Sequence, residues 1–128
     1  LGDNVSACLE ACYDAVKAMK RIENVIMPFP KGVVRSGSKV GSKYKALIAS
    51  TNHVYCPTIK GVIKDSAVPE NVHTCYEIVV DGASEQDVAN AMRVGMNAAA
   101  KDGVIQITAG NFGGKLGKYK FFLKDLIG

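Results

Sequence analysis

Val72-His73-Thr74-Cys75-Tyr76-Glu77-Ile78-Val79-Val80 is the stretch whose reading decides the fold. It is rich in β-branched and aromatic residues, and Asp81-Gly82 follows as a turn signal, so the pattern predicts a strand over 72–80. Side chains alternate along a strand, placing Thr74, Tyr76, Ile78 and Val80 on one face and Cys75, Glu77 and Val79 on the other. Both faces are largely apolar, as in a strand covered on both sides. Glu77 stands in the middle. A carboxylate there must be paired, hydrogen-bonded or neutral, because an isolated buried charge is too costly. Burial raises a carboxyl pKa, which is how such a group comes to act as an acid or base near neutral pH. Strand physics alone also allows a structural Glu near a strand end or edge, facing one of the 16 Lys and Arg residues.

Working outward on the C-terminal side, Ser84 with Asp87 forms a capping box that uses Asp where Glu or Gln is usual. Val88, Ala91, Met92, Gly95, Met96 and Ala99 then make the apolar stripe of a helix, ended by Asp102-Gly103 with Gly103 as left-handed cap. Val104 to Thr108 predicts a strand. It runs into Ala109-Gly110-Asn111-Phe112-Gly113-Gly114-Lys115-Leu116-Gly117-Lys118, and Tyr119 to Leu123 predicts a closing edge strand. The glycine loop is no phosphate loop, because Ser or Thr does not follow the Lys and no helix starts there. Its bare backbone can instead approach a flat ligand, with Phe112 for stacking and Asn111 for hydrogen bonds. A plain glycine-rich hairpin is the competing reading.

On the N-terminal side, Val5, Cys8, Cys12, Ala15, Val16, Met19 and Ile22 recur at steps of three and four, predicting a helix capped by Asp3 or Asn4 and ended by Asn24. Val25 to Met27 is a short extended run limited by Pro28 and Pro30. Val33-Val34 leads into Ser36-Gly37-Ser38-Lys39-Val40-Gly41-Ser42-Lys43. Ser38 and Ser42 can donate hydrogen bonds and Lys39 and Lys43 can neutralise an anion, unless the run is only a polar hairpin tip. Residues 44–70 have no clear period. Within them Asn52, Tyr55 and Cys56 concentrate polar, aromatic and thiol groups, and Pro57 bars helix at Cys56. A Cys56 nucleophile with His53 or His73 as base lacks a recognised local signature.

The 128 residues fit one domain, 1–128, with a real core; 48% hydrophobic and 22% charged is an ordinary globular composition. No apolar run approaches the roughly 18 residues that span a bilayer. No basic n-region opens the chain, so a cytoplasmic address is expected. A net charge of +4 with Lys clusters at 31–45 and 115–124 favours an anionic ligand over a nucleic-acid track, for which the ribonucleoprotein strand motifs are absent. Cys8 and Cys12 share a helix face without a second ligand pair, and neither His has a partner at ligand spacing, so no metal site is expected. The element order, helix, extended segment, strand, helix, strand, strand, becomes β-α-β-β-α-β if one strand is added in front. That is an α+β ferredoxin-like lobe: an antiparallel sheet with two helices on one face, its first strand missing. A domain seldom begins so abruptly on a core helix, and a fragment of a longer polypeptide is expected.

Several stretches together resemble formylmethanofuran:tetrahydromethanopterin formyltransferase: Pro28-Phe29-Pro30, Ser36 to Lys43, Ala49-Ser50-Thr51-Asn52, Tyr55-Cys56-Pro57-Thr58, Cys75-Tyr76-Glu77-Ile78-Val79, Ala91 to Gly95 and Ala109 to Gly117. The resemblance is to the C-terminal, distal lobe of that family. It implies formyl transfer between methanofuran and N5 of tetrahydromethanopterin in one-carbon metabolism. The two coenzymes are then co-substrates and there is no tightly bound cofactor. The N-terminal lobe of the same enzyme is an implied partner, in a cytoplasmic homotetramer. The family's catalytic carboxyl group falls on Glu77. Ser38, Lys39, Ser42, Lys43, Asn52, Tyr55, Cys56, Asn111, Phe112 and Lys115 are the expected substrate contacts. The short chain also fits a non-catalytic pterin-binding or assembly module derived from the enzyme.

Overall fold

The computed structural model describes residues 1–35, 52–110 and 117–127. Helix α1, Val5–Met19, starts where Asn4 accepts a hydrogen bond from the Ala7 amide at 2.8 Å, satisfying one of the free donors of the first turn. It buries Cys8, Ala11, Ala15, Val16 and Met19 and stops before Ile22, the last residue of the predicted stripe. Asn24 takes a left-handed φ of 64° and turns the chain into β1, Val25–Ile26. A 3-10 turn over Pro30–Gly32 leads to β2, Val34–Arg35. Two further 3-10 turns, His53–Tyr55 and Pro57–Ile59, precede β3, Tyr76–Glu77, and β4, Asp81–Gly82.

Helix α2, Glu85–Ala99, is capped as the sequence predicts: the Asp87 amide donates to Ser84 Oγ at 3.1 Å, and that hydroxyl donates to Asp87 Oδ2 at 2.7 Å. Its C-terminus differs from expectation. The Ala100 amide closes the last turn on Met96, and Gly103, at φ +87°, sits three residues further on, in the turn that leads to Val104. Small residues bring α1 and α2 together. Ala15, Val16, Met19 and Ala91 form one buried cluster, and a Cβ at Gly95 would lie 2.7 Å from Met19 Sδ. Ile22, Val25, Met27, Val33, Ile78 and Val80 pack against this cluster, so both helices cover one face of the extended layer.

The central pairings are antiparallel. Val34 lies opposite Glu77, and Arg35 opposite Tyr76. Gly2 bridges both Thr74 and Val104. The order across the layer is therefore Val104, Gly2, the Thr74–Glu77 run and β2. That is the arrangement of a split β-α-β repeat, with Leu1-Gly2 at the place where the sequence left the first strand missing. The Leu1 carbonyl accepts from the Ile105 amide at 2.9 Å and the Leu1 nitrogen donates to the Gln106 carbonyl at 2.9 Å, which holds this seam.

Three element expectations change. Asp81-Gly82 is a ladder rung, not a turn: Val25 pairs with Gly82 and Ile26 with Asp81. A Cβ on Gly82 would come within 2.6 Å of Val88 Cγ2, so the small residue is required by the close approach of α2. The 104–108 strand reduces to an extended segment joined through Val104. The expected closing strand is replaced by α3, Leu123–Leu126. Burial of Leu126 against Ala89 and Met96 of α2, with Arg93 Nε donating to the Leu126 carbonyl at 3.0 Å, anchors α3, while Tyr119 to Phe122 form neither strand nor helix.

Candidate active site

Glu77 is positioned by β3. Its ladder partner is Val34, the residue is half-buried, and its Oε1 atom is shielded from solvent. Ile78 and Val80 belong to the α1–α2 core, whereas Cys75 packs with Leu1, Val72, Tyr55 and Val68. Alternation along the run puts Glu77 on the Cys75 side, away from both helices.

The 52–60 segment folds onto that side because its turns close locally. The Tyr55 amide donates to the Asn52 carbonyl at 3.1 Å and the Cys56 amide to the His53 carbonyl at 3.1 Å. Pro57 then opens the second turn, where its fixed φ and missing N–H are tolerated. Cys56 ends up 1% exposed. With Arg35, Thr58, His73, Cys75 and Tyr76 it lines a cavity of about 310 Å³ alongside the Glu77 strand. Tyr55 is half-buried in the Cys75 cluster.

Asn52 is buried and lies against Gly110, the first glycine of the loop that follows the Val104 segment. A Cβ at Gly110 would overlap Asn52 Nδ2 and stand 2.9 Å from its Cγ. Bare backbone at Gly110 is thus a steric requirement of Asn52.

Among the expected contacts, Tyr55 and Cys56 therefore gather beside the strand that carries Glu77, and Asn52 lies against Gly110. Ser38, Lys39, Ser42, Lys43, Asn111, Phe112 and Lys115 lie outside the described residues. His53 faces Asp65, Nε2 to Oδ2 3.2 Å, whereas His73 shares the cavity with Cys56. Sequence reasoning missed Arg35 and Thr58 as cavity residues. Arg35 ends a short apolar strand and Thr58 follows a proline, and neither context marks a site.

Cys8 and Cys12 are hydrogen-bonded to each other at the contact of α1 with the strand layer. The bond from Cys12 draws the Cys8 thiol down to about 6 against the opposing effect of burial, helped by the Tyr76 backbone; the same bond, with burial, pushes Cys12 up. Among the described residues, no three His, Cys, Asp or Glu side chains converge as a metal-ligand set.

Pairing order and helix packing define a ferredoxin-like α+β lobe, one of whose strands carries a shielded carboxyl group and borders a cavity shared with Val5 of α1. Residues 1–126 match the family described as FTR, proximal lobe, and the chain belongs to that family. The lobe designation corrects the expected distal assignment.

Formylmethanofuran–tetrahydromethanopterin formyltransferase of Methylobacillus flagellatus is 54% identical over 99% of this chain, and that of Methanocaldococcus jannaschii 52% over 98%. The chain spans 43% of the length of each. Two solved structures superpose with a TM-score of 0.85. One is the formyltransferase from Methanosarcina barkeri, 45% identical over 98% of this chain and 43% of that one. The other belongs to the formyltransferase/hydrolase complex from Methylorubrum extorquens in complex with methylofuran, 44% identical over 100% of this chain and 42% of that one. No helix among the described residues is long and apolar enough to cross a membrane.

Proposed function

We propose that residues 1–128 form one lobe, the C-terminal one, of a two-lobed enzyme that transfers a formyl group between formylmethanofuran and N5 of tetrahydromethanopterin. The reading is supported above all by Glu77, a shielded carboxyl on a half-buried strand beside a cavity, in a chain about half identical to curated formyltransferases. The acceptor amine attacks the formyl carbon and gives a tetrahedral species. That species carries negative charge on the former carbonyl oxygen and an excess proton on the attacking nitrogen. The proton must leave this nitrogen, and the departing amine must gain one, before the C–N bond to the donor breaks. Glu77 relays it: its carboxylate takes the proton from the attacking amine and its acid form returns it to the leaving amine. Asn52, Tyr55 and Cys56 bind and orient the coenzymes from the neighbouring wall, with Ser38, Lys39, Ser42, Lys43, Asn111, Phe112 and Lys115 as further contacts. The enzyme is cytoplasmic, pairs this lobe with an N-terminal one and works as a homotetramer.

Glu77→Gln in the complete enzyme tests the assignment. The amide keeps the shape and loses the proton relay, so kcat falls by about 10²–10⁴-fold while both coenzymes still bind. Wild-type turnover in Glu77→Gln would remove Glu77 from the mechanism.

A further inference from the structure

The cavity beside the Glu77 strand has a one-sided charge. Arg35 stands at its rim, and the remaining polar side chains of its wall are Thr58, His73, Thr74, Tyr76 and two thiols; no carboxylate lines it. Arg35 is exposed and engages no carboxylate among the described residues. A guanidinium is permanently charged and presents a planar fork of donors suited to a carboxylate or phosphate. The backbone fixes where the fork begins. Arg35 is paired with Tyr76, and the next rung is Val34 with Glu77. Successive residues along a strand advance about 3.3 Å, so the two rungs are immediate neighbours. Rungs alternate in face, so Arg35 shares the Tyr76 face, where Val5 of α1 and Thr74 also line the cavity, while Cys75 and His73 border it from the same run.

We propose that Arg35, with Thr58 and His73 of the same cavity, forms an anion subsite that holds a carboxylate or phosphate group of one of the two coenzymes. Arg35 is a substrate-binding residue in this arrangement, not an acid or base. Its grip on a remote anionic group fixes the distance from that group to the reacting centre at Glu77, and the proposal rests on formyl transfer at that residue. The walls divide the work: the guanidinium supplies charge, Thr58 Oγ supplies a hydrogen bond, and buried Cys56 closes the floor against water.

The test uses the complete enzyme and steady-state kinetics with each coenzyme varied in turn. Arg35→Met leaves the core untouched because the side chain is exposed. It raises KM for one coenzyme and not the other, by about 10- to 100-fold, the range of a charged hydrogen-bonded contact. The loss in kcat/KM is carried mainly by KM, and Arg35→Lys recovers part of it. Inorganic phosphate and glutarate serve as probes. One of them inhibits the wild type competitively against that coenzyme, and Arg35→Met loses the inhibition; which anion inhibits tells a phosphate from a carboxylate. Unchanged KM for both coenzymes in Arg35→Met, or equal sensitivity of variant and wild type to both anions, overturns the subsite. Failure of the underlying reading looks different. In that case Glu77→Gln turns over normally, while the Arg35-dependent KM shift and anion competition persist.

Discussion

Replacing Gly110 with alanine puts one methyl group where the structure has room for none. The new Cβ overlaps Asn52 Nδ2 and lies 2.9 Å from Asn52 Cγ, against an ordinary contact of 3.4 Å or more. The Cγ atom must retreat by about 0.5 Å, the difference between those distances, and the amide nitrogen further. Asn has a short side chain and this one is only 8% exposed, so it has no open space to turn into. Driving a buried amide off its position costs about 1–3 kcal/mol, the range for a polar group deprived of its hydrogen bonds. In the complete enzyme, where we propose that Asn52 binds substrate, a displacement of that order lowers kcat/KM by about 10- to 100-fold. Urea denaturation and formyl-transfer kinetics are measured for Gly110→Ala, Asn52→Ala and the double variant. If the collision is the cause, Gly110→Ala costs little once Asn52 is already alanine, and the coupling between the two positions exceeds about 1 kcal/mol. Strict additivity, or a Gly110→Ala enzyme indistinguishable from wild type, would refute the reasoning.

Two further outcomes are expected. Gly32→Ala destabilises the lobe by about 2–5 kcal/mol in urea titrations, the sum of a left-handed residue with a side chain and an overpacked core. Gly32 has φ +77°, and its Cβ would lie 2.8 Å from both γ-carbons of buried Val16, a side chain with little rotamer freedom. Cys12→Ala removes the main cause of the heightened Cys8 acidity, so the Cys8 thiol moves from about 6 toward its ordinary value of 9.0. Thiolate ultraviolet absorbance followed against pH checks this; a Cys8 titration left near 6 in the variant would show that the thiol pair is not its source.

The helices were legible because their signals are local and agree with one another. Asn4 and Ser84 cap as their side-chain chemistry predicts, and the stripes from Cys8 to Met19 and from Ala91 to Met96 are the buried faces. The Glu77 strand was legible for the same reason, although its laddered part shrinks to Tyr76–Glu77. What failed depended on contacts distant in sequence. Asp81-Gly82 carries a turn composition, yet its pairing with Val25–Ile26 is set by where α2 must begin. Leu123 reads as the end of a strand, yet Leu123–Leu126 is helical because Leu126 finds Ala89 and Met96 more than 25 residues away in the chain. Asn52, Tyr55 and Cys56 stood out by residue type. The convergence of Arg35 on the same cavity comes from a ladder rung that no local pattern encodes. The contact between Asn52 and Gly110 joins two segments that were read separately as binding loops.

The packing of the two long helices on each other, and the gathering of the 52–60 turns around Cys56, give the lobe two regions with separate evolutionary accounts. Substitutions among Ala15, Val16, Met19, Ala91 and Gly95 change how tightly the scaffold holds together. Substitutions around Cys56, Arg35 and His73 change the cavity in which we propose that a coenzyme is held. A lineage adapting to a hotter or colder habitat can rework the first set while the second stands still, and one adapting to a modified coenzyme can do the reverse. The strand between them, with a core residue and an acid side by side at Ile78 and Glu77, is the narrow band where the two histories are forced to agree.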